Sequence, residues 1–307
     1  MFVNDKAIEA EFRQYAEKNH SEMPESIRED WIKSNVDDNH KGRRKWQVFL
    51  ANWKFYQNLL PKDELRLLDL GCGSGSISFN ALAAGYPVYG LEPGYTKIEF
   101  VGKKHAYYSR TNQILTRYPP FVRGFGEEIP FKDNTFSAIF TSQVLEHVRD
   151  TKTVLGECIR VLKPGGFFFV EIPNYFSFYE GHYNIFWLPL FPRRLAKIYL
   201  RLRGRNTNDL DLIIYTTKRK MLQELRGEGV MVFDPFLMKL YDNLEHPSQI
   251  VNSTKRTIYR LAKLLGLTEA LAAWERFLHL FHLQLQLFVI KKPSDCKNTR
   301  ISKVRIL

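Results

Sequence analysis

The stretch Leu67-Leu68-Asp69-Leu70-Gly71-Cys72-Gly73-Ser74-Gly75 constrains this chain more than any other. Leu67 to Leu70 read as a parallel strand covered on both faces. The strand runs straight into three alternating glycines. Without a Cβ, the backbone can turn sharply there and approach a ligand closely. Helical spacing follows at once through Ile77, Phe79, Leu82 and Ala83. A second apolar run, Val88-Tyr89-Gly90-Leu91, ends in Glu92. An acid at the tip of a second strand is placed to accept hydrogen bonds from ribose hydroxyls. The expected unit is strand, turn, helix, strand, with a nucleoside-containing cofactor at the top of the sheet.

The glycine spacing narrows the cofactor. A dinucleotide fingerprint reads GxGxxG and cradles a pyrophosphate. Here the spacing is Gly71-x-Gly73-x-Gly75, with Asp69 two residues ahead. A carboxylate at Asp69 would repel a pyrophosphate. It suits a cationic ligand, such as the amino group and sulfonium of S-adenosylmethionine.

This pattern resembles the class I methyltransferases of the type 11-like group, and the resemblance extends from Leu65 to Asn174. Gly126-Glu127-Glu128-Ile129-Pro130-Phe131 is similar to the family's adenine loop. Phe136 to Thr141 is similar to its fourth strand, and Ser142-Gln143-Val144-Leu145-Glu146-His147-Val148 to the segment after it. Leu162-Lys163-Pro164-Gly165-Gly166 matches the turn before its fifth strand. Each motif alone is weak; five in order are specific.

The resemblance implies a Rossmann-like α/β fold: a doubly wound, seven-stranded sheet, mostly parallel with an antiparallel last strand. It implies S-adenosylmethionine as cofactor, held by Asp69, Gly71, Cys72, Gly73, Gly75, Glu92, Pro93, Phe125, Gly126, Glu127 and Ser142. It also implies that Asp69 orders the glycine turn and faces the methionine end. Phe125 departs from the family, which often has an Asp there to bond the adenine amino group. Phenylalanine cannot accept that bond but can stack on a purine.

Glu146 and His147 are the catalytic candidates. An imidazole titrates near neutral pH and can serve as a base toward a hydroxyl acceptor. A His that only orients its loop is the plainer reading of His147. If the segment is a helical turn, Gln143 and Glu146 project to one side. Some resembling O-methyltransferases hold a divalent metal with Glu-x-x-Glu-His. Gln143 replaces the first Glu here, which leaves a poor hard-metal set, so no metal is expected. His182, in a later segment, is a second base candidate. The chemistry asks little more, because in-line positioning of a nucleophile on an electrophilic methyl supplies much of the acceleration.

Strands are expected at 66–70, 88–91, 120–123, 137–141 and 167–172, with helices at 96–108 and 151–162 between them. Alternation of this kind gives parallel pairing and ligands at the carboxyl ends. Residues 1–60 read as an N-terminal helical cap. Phe12, Tyr15 and Ala16 share one face, and Trp46, Phe49, Leu50 and Trp53 share another; core packing explains this second stripe. Lys41, Arg43, Arg44 and Lys45 read as a solvated face. The methyltransferase domain spans 61–290, with insertions at about 175–215 and 235–280. A helix is expected at 217–228, a sixth strand at 229–233 and a final strand at 282–290. Residues 291–307 read as a basic, flexible tail.

The first insertion is aromatic and then basic. Phe186, Trp187, Leu188, Leu190 and Phe191 precede Arg193, Arg194, Lys197, Arg201, Arg203 and Arg205. Leu195, Ile198, Tyr199 and Leu202 form the apolar face of a helix there. The segment reads as a lid, as a membrane-surface element on anionic lipid, or as plain packing.

A net charge of +12 favours an acidic partner. Three scattered cysteines make neither a disulfide framework nor a zinc pattern, so a reducing, cytoplasmic setting is expected. The N-terminus lacks the pattern of a signal peptide, and no apolar run reaches membrane-spanning length. The expected function is methyl transfer to a small-molecule, glycan or lipid-linked acceptor at oxygen, with a phosphorylated acceptor and contact to an anionic membrane as further expectations. The alternatives are an RNA-directed methyltransferase, which no RNA-binding module supports, and a non-catalytic cofactor-binding scaffold. Oligomeric state is not legible in the sequence.

Overall fold

The computed structural model describes residues 42–53, 66–111, 114 and 120–292, together with residues 9, 10, 13, 14, 17, 25, 28, 29 and 32. The expectations for Phe12, Tyr15, Ala16, Lys41 and the tail beyond residue 292 lie outside the described residues. A seven-stranded sheet has the order β3-β2-β1-β4-β5-β9-β8. Its strands are β1 (Leu67–Leu70), β2 (Val88–Glu92), β3 (Phe121–Arg123), β4 (Phe136–Ser142), β5 (Leu162–Pro173), β8 (Val230–Phe233) and β9 (Gln284–Lys291). A two-stranded ribbon pairs β6 (Tyr179–Glu180) with β7 (Ile185–Phe186). The chain divides into two compact units, Met1–Thr141 with Glu157–Phe167, and Ser142–Gly156 with Phe168–Leu307.

In the first unit, β1 pairs in parallel with β2 on one side and β4 on the other, so Asp69 lies level with Gly90 and Phe140. All four β1 residues are buried. The helix over 42–53 packs its aromatic stripe as core. Phe49 lies 5.7 Å from Phe140 and 5.9 Å from Phe167, and Trp53 lies 6.2 Å from Phe167. Leu50 is only half-buried, and Arg43, Arg44 and Lys45 are half-buried or exposed, as a solvated face requires. The Ser76–Ala83 and Tyr95–Arg110 helices meet through Phe79 and Tyr108, whose rings are 5.0 Å apart. Gly90 is needed beneath the turn: a Cβ there would stand 2.6 Å from Phe121 and 2.8 Å from the Cys72 sulfur.

In the second unit, β9 runs antiparallel to β8, with Val230 opposite Lys291 and Phe233 opposite Phe288. This is the antiparallel last strand of the chain. The first insertion folds as the β6–β7 ribbon and the Arg193–Leu202 and Asn208–Leu212 helices. Its core gathers Tyr183, Ile185, Trp187, Ala196, Leu200 and Leu210. Thr217 caps the Lys218–Glu224 helix by accepting from the Lys220 amide. The second insertion supplies the Pro235–Glu245, Ser253–Leu264 and Thr268–His279 helices around Leu240, Ile250, Tyr259 and Ala272.

One local expectation needs correction, and two readings left open by the sequence are decided. The Leu162–Gly166 segment is not a turn ahead of the strand; β5 already starts at Leu162. The 143–149 segment is bends and turns, not a helical turn, because Gln143 adopts φ +58° and breaks any helical continuation. The buried face of the Arg193–Leu202 helix is Ala196 and Leu200, whereas Leu195, Ile198 and Leu202 point outward at 55, 52 and 82 % exposure.

Candidate functional site

The first unit carries the glycine turn. Gly71, Gly73 and Gly75 all take positive φ, at 70°, 54° and 76°. The Gly71 and Cys72 amides both donate to the Leu91 carbonyl at 2.8 and 3.1 Å. The Gly75 amide closes the turn onto the Cys72 carbonyl at 2.8 Å. Gly75 also starts the Ser76–Ala83 helix, and a Cβ on it would stand 2.7 Å from both Phe79 and Val101. A Cβ on Gly73 would meet nothing within 4 Å. Gly73 is therefore the open glycine and Gly75 the packed one. Cys72 is buried, and burial pushes its thiol well above the ordinary range.

Two buried carboxylates frame the turn. Glu92 accepts from the Gly73 amide at 3.1 Å and, through its other oxygen, from the Gly94 amide at 3.0 Å. Lys97 stands 3.9 Å from the same carboxylate. Asp69 accepts from the Ser78 hydroxyl at 2.6 Å and the Ser78 amide at 3.2 Å. Its bonds therefore go to the following helix. Glu92, not Asp69, holds the turn amide, contrary to the role that the resemblance implies for Asp69. Burial pushes the Asp69 carboxyl up to about 6 despite the opposing Ser78 bonds.

The loop after β3 begins beside the tip of β2. Arg123 is in register with Glu92, and the Gly124 amide donates to the Glu92 carbonyl at 3.3 Å. Arg123 also donates to the carbonyl of Pro93 at 3.3 Å. Phe125 stands out from this loop at 55 % exposure, and Gly126 and Glu127 are half-buried in the turn that follows. The loop's far side is pinned. The Ile129 amide donates to Glu157 at 2.8 Å, and Arg160 bonds Ile129 O, Phe131 O, Asp133 and Glu157. The structure thus groups Asp69, Gly71, Cys72, Gly73, Gly75, Glu92 and Pro93 around one turn, with Phe125, Gly126 and Glu127 on the adjoining loop.

Sequence reasoning missed Lys104, which is buried and donates to the Ser74 carbonyl at 3.1 Å. A signal was present: Phe100, Lys104 and Tyr108 repeat every four residues along a buried helix face.

The second unit carries the remaining candidates. The Ser142 hydroxyl donates to Glu171 at 2.7 Å. Glu171 also receives the Gln286 side-chain amide at 2.7 Å, and its carbonyl receives the Gln143 amide at 2.9 Å. An acid inside the Phe167–Ile172 run was the sequence sign of this anchor. Glu146 is fully buried, and its carbonyl takes the Ile214 amide at 2.7 Å. His147 is exposed, and its ring stands 5.5 Å from that of His182, nearly perpendicular at 88°. His182 Nδ1 lies 2.7 Å from Glu180, whose other oxygen accepts from the Tyr183 amide at 2.8 Å. Ligand atoms of Glu146, His147 and His182 all lie within 4.8 Å of one another. Close by, a cavity of about 420 Å³ is lined by Gln143, Tyr175, Tyr179, Glu180, His182 and Trp187, among others. Tyr175 stacks on Tyr215 at 4.3 Å, and burial pushes both hydroxyls up, Tyr215 to about 12.

Comparison with known proteins gives these features a family. Residues 68–170 match the family model described as a methyltransferase domain. An uncharacterized methyltransferase of Mycolicibacterium vanbaalenii is 30 % identical over 55 % of this chain and 63 % of its own. A ubiquinone biosynthesis O-methyltransferase of Mesorhizobium japonicum is 28 % identical over 45 % of this chain and 55 % of its own. The chain thus spans little more than half the length of these relatives. Among solved structures, the YcgJ protein of Bacillus subtilis shares 15 % identity with a TM-score of 0.45, over 78 % of this chain and 97 % of its own. The matched segment contains the glycine turn, Glu92, the Phe125 loop and the Glu146–His147 turn, and over it the chain is similar to methyltransferases.

Proposed function

We propose that this protein transfers a methyl group from S-adenosylmethionine to a hydroxyl oxygen of a small-molecule acceptor. One observation carries the cofactor half of this reading: a turn of three positive-φ glycines, open at Gly73 and tied through that residue's amide to Glu92. In this reading the Glu92 carboxylate also accepts from the ribose hydroxyls. Phe125 stacks on the adenine, with Gly126 and Glu127 beside it. The Asp69 carboxylate favours the cationic methionine end, and Gly71, Cys72, Gly75 and Pro93 shape the cradle. Ser142, held by Glu171, fixes the start of the segment that bears Glu146 and His147. His147, with Glu146 beside it, takes the proton of the acceptor hydroxyl as the methyl group is transferred to its oxygen, and the body of the acceptor occupies the 420 Å³ cavity of the second unit. The ubiquinone-pathway relative, named as an O-methyltransferase, supports oxygen as the acceptor atom.

Differential scanning with S-adenosylmethionine, S-adenosylhomocysteine and NAD tests the cofactor. The first two should stabilise the protein by about 2.7 kcal/mol at a hundred times their dissociation constant. Stabilisation by NAD alone would overturn the reading. A metabolite and lipid comparison with and without the gene, searched for a shift of one methyl mass, finds the acceptor.

A second reading concerns the first insertion. Leu195, Ile198 and Leu202 face outward beside the exposed Arg194, Arg201 and Arg205, and Phe186, Leu188 and Leu190 are exposed as well. No described helix is long and apolar enough to cross a membrane. The pattern suits peripheral docking on anionic lipid, where a lipid-linked or phosphorylated acceptor would be met. Two of the basic residues do not take part. Arg193 bonds the Leu210 and Ile213 carbonyls, and Lys197 pairs with Asp211 at 2.7 Å. Trp187 is buried and does not take part either. Arg194, Arg201 and Arg205 changed together to Glu should abolish co-sedimentation with anionic vesicles and leave cofactor affinity intact. If the wild type ignores such vesicles at low salt, the docking reading fails.

A further inference from the structure

We infer that Glu146, His147 and His182 form a binding site for a divalent transition-metal ion. Along the sequence, Gln143, Glu146 and His147 offer one carboxylate and one imidazole, from which no metal is expected. The fold adds a third group. The β6–β7 ribbon bends through Gly181 and His182 and brings the His182 imidazole over His147. One ligand atom from each of Glu146, His147 and His182 then lies within 4.8 Å of the other two. Ligands about 2.1 Å from a shared ion stand roughly 3.4 Å apart in a tetrahedral site. Small rotations of the two exposed histidines, His147 and His182, close that difference.

The surroundings of His182 favour ligation. A carboxylate can only accept, so the 2.7 Å contact with Glu180 requires that His182 Nδ1 donate. In the neutral ring this leaves Nε2 as the nitrogen with a lone pair. Glu180 is held in turn by the Tyr183 amide and is buried, so the ring keeps Nδ1 turned toward Glu180. A carboxylate that orients the distal nitrogen of a histidine is the usual support of a metal-binding imidazole. Glu146 is anchored through its carbonyl by the Ile214 amide.

The donor set selects the ion. Two imidazoles and one carboxylate suit zinc, manganese, iron, cobalt or nickel, and not magnesium or calcium, which prefer all-oxygen sites. Three protein ligands leave coordination positions open. His182 also lines the 420 Å³ cavity, so an ion there could bind an acceptor oxygen directly. The inference does not rest on the methyl-transfer reading, because metal binding is measured without cofactor or acceptor; with an ion bound, His147 serves as a ligand and not as the base.

The test uses untagged full-length protein stripped with EDTA and titrated with Co²⁺, followed by visible d–d absorption and calorimetry. The wild type should bind one equivalent. His182→Ala and His147→Ala should each weaken binding at least tenfold. Glu180→Gln should weaken it about 10- to 100-fold, the usual effect of losing such a support. Circular dichroism and the S-adenosylmethionine melting shift should stay at wild-type values in His182→Ala, which changes an exposed ribbon residue. Failure of the wild type to bind Co²⁺ up to millimolar concentration overturns the site. Unchanged affinity in either histidine variant overturns it as well. Failure of the methyltransferase reading would appear separately, as a missing S-adenosylmethionine shift.

Discussion

The two units build their candidate sites in opposite ways. In the first, the turn is made by residues that follow one another, Asp69 to Gly75, closed by Glu92 from the next strand. In the second, the groups come from distant stretches: Glu146 and His147 after β4, Glu171 in β5, Glu180 and His182 in the ribbon, and Gln286 in β9. A contiguous site leaves a spaced signature in the sequence. A site assembled by tertiary packing leaves only isolated polar residues inside apolar runs.

Four variants break or sharpen this contrast. The largest effect is expected at Gly75. Valine there combines a left-handed φ with collisions against Phe79 and Val101, and should cost about 3 to 5 kcal/mol. Urea unfolding measures it. A loss under about 1 kcal/mol would mean that the turn is not packed as described.

Asp69 comes next. Its carboxyl is raised to about 6 by burial, so the sign follows from linkage. The favourable contribution is fully present below the unfolded value near pH 4 and is lost as pH rises through about 6. Two units correspond to about 3 kcal/mol. Asp69→Asn cannot ionise, so its stability should change less between pH 4 and 7.5 than that of the wild type. Parallel pH slopes in the two proteins would refute the shift.

Gly73→Val should leave most of the fold, because its Cβ points into open space, although its left-handed φ of 54° costs about 1 to 3 kcal/mol. It should remove the ligand-induced stabilisation, about 2.7 kcal/mol at saturating S-adenosylmethionine. A normal melting shift in this variant would show that the open glycine does not face the cofactor. The smallest effect belongs to Ile198→Ser on the outward face of the Arg193–Leu202 helix. Stability should move by no more than about 0.5 kcal/mol. A larger loss, measured by the same unfolding experiment, would mean that this face is covered.

This contrast also explains what the sequence revealed. The strand positions followed from apolar runs bounded by glycine and proline, and β1, β2, β4 and β8 fall within a residue or two of expectation. The final strand followed from the alternation in Leu283 to Ile290, and its antiparallel direction from the family resemblance. The turn residues were legible because their spacing is itself the function. Whether the 143–149 segment was helical stayed open because a left-handed Gln143 has no sequence signal of the kind glycine gives. For the Arg193–Leu202 helix, spacing located an apolar stripe but not which side meets the core, and Ala196 and Leu200 are the residues that pack with Trp187. His182 was read as a weak candidate because nothing local shows that a two-strand ribbon would carry it to His147.

The Glu92 carboxylate has one more implication. Both its oxygens already take backbone amides, from Gly73 and Gly94. The turn therefore holds its shape without help from a ligand. A cofactor that docks there freezes few backbone torsions, so little of its interaction energy goes into ordering the protein. Association should then be fast and nearly insensitive to solvent viscosity beyond the diffusional term, as expected of a rigid receptor and not of one that folds around its guest.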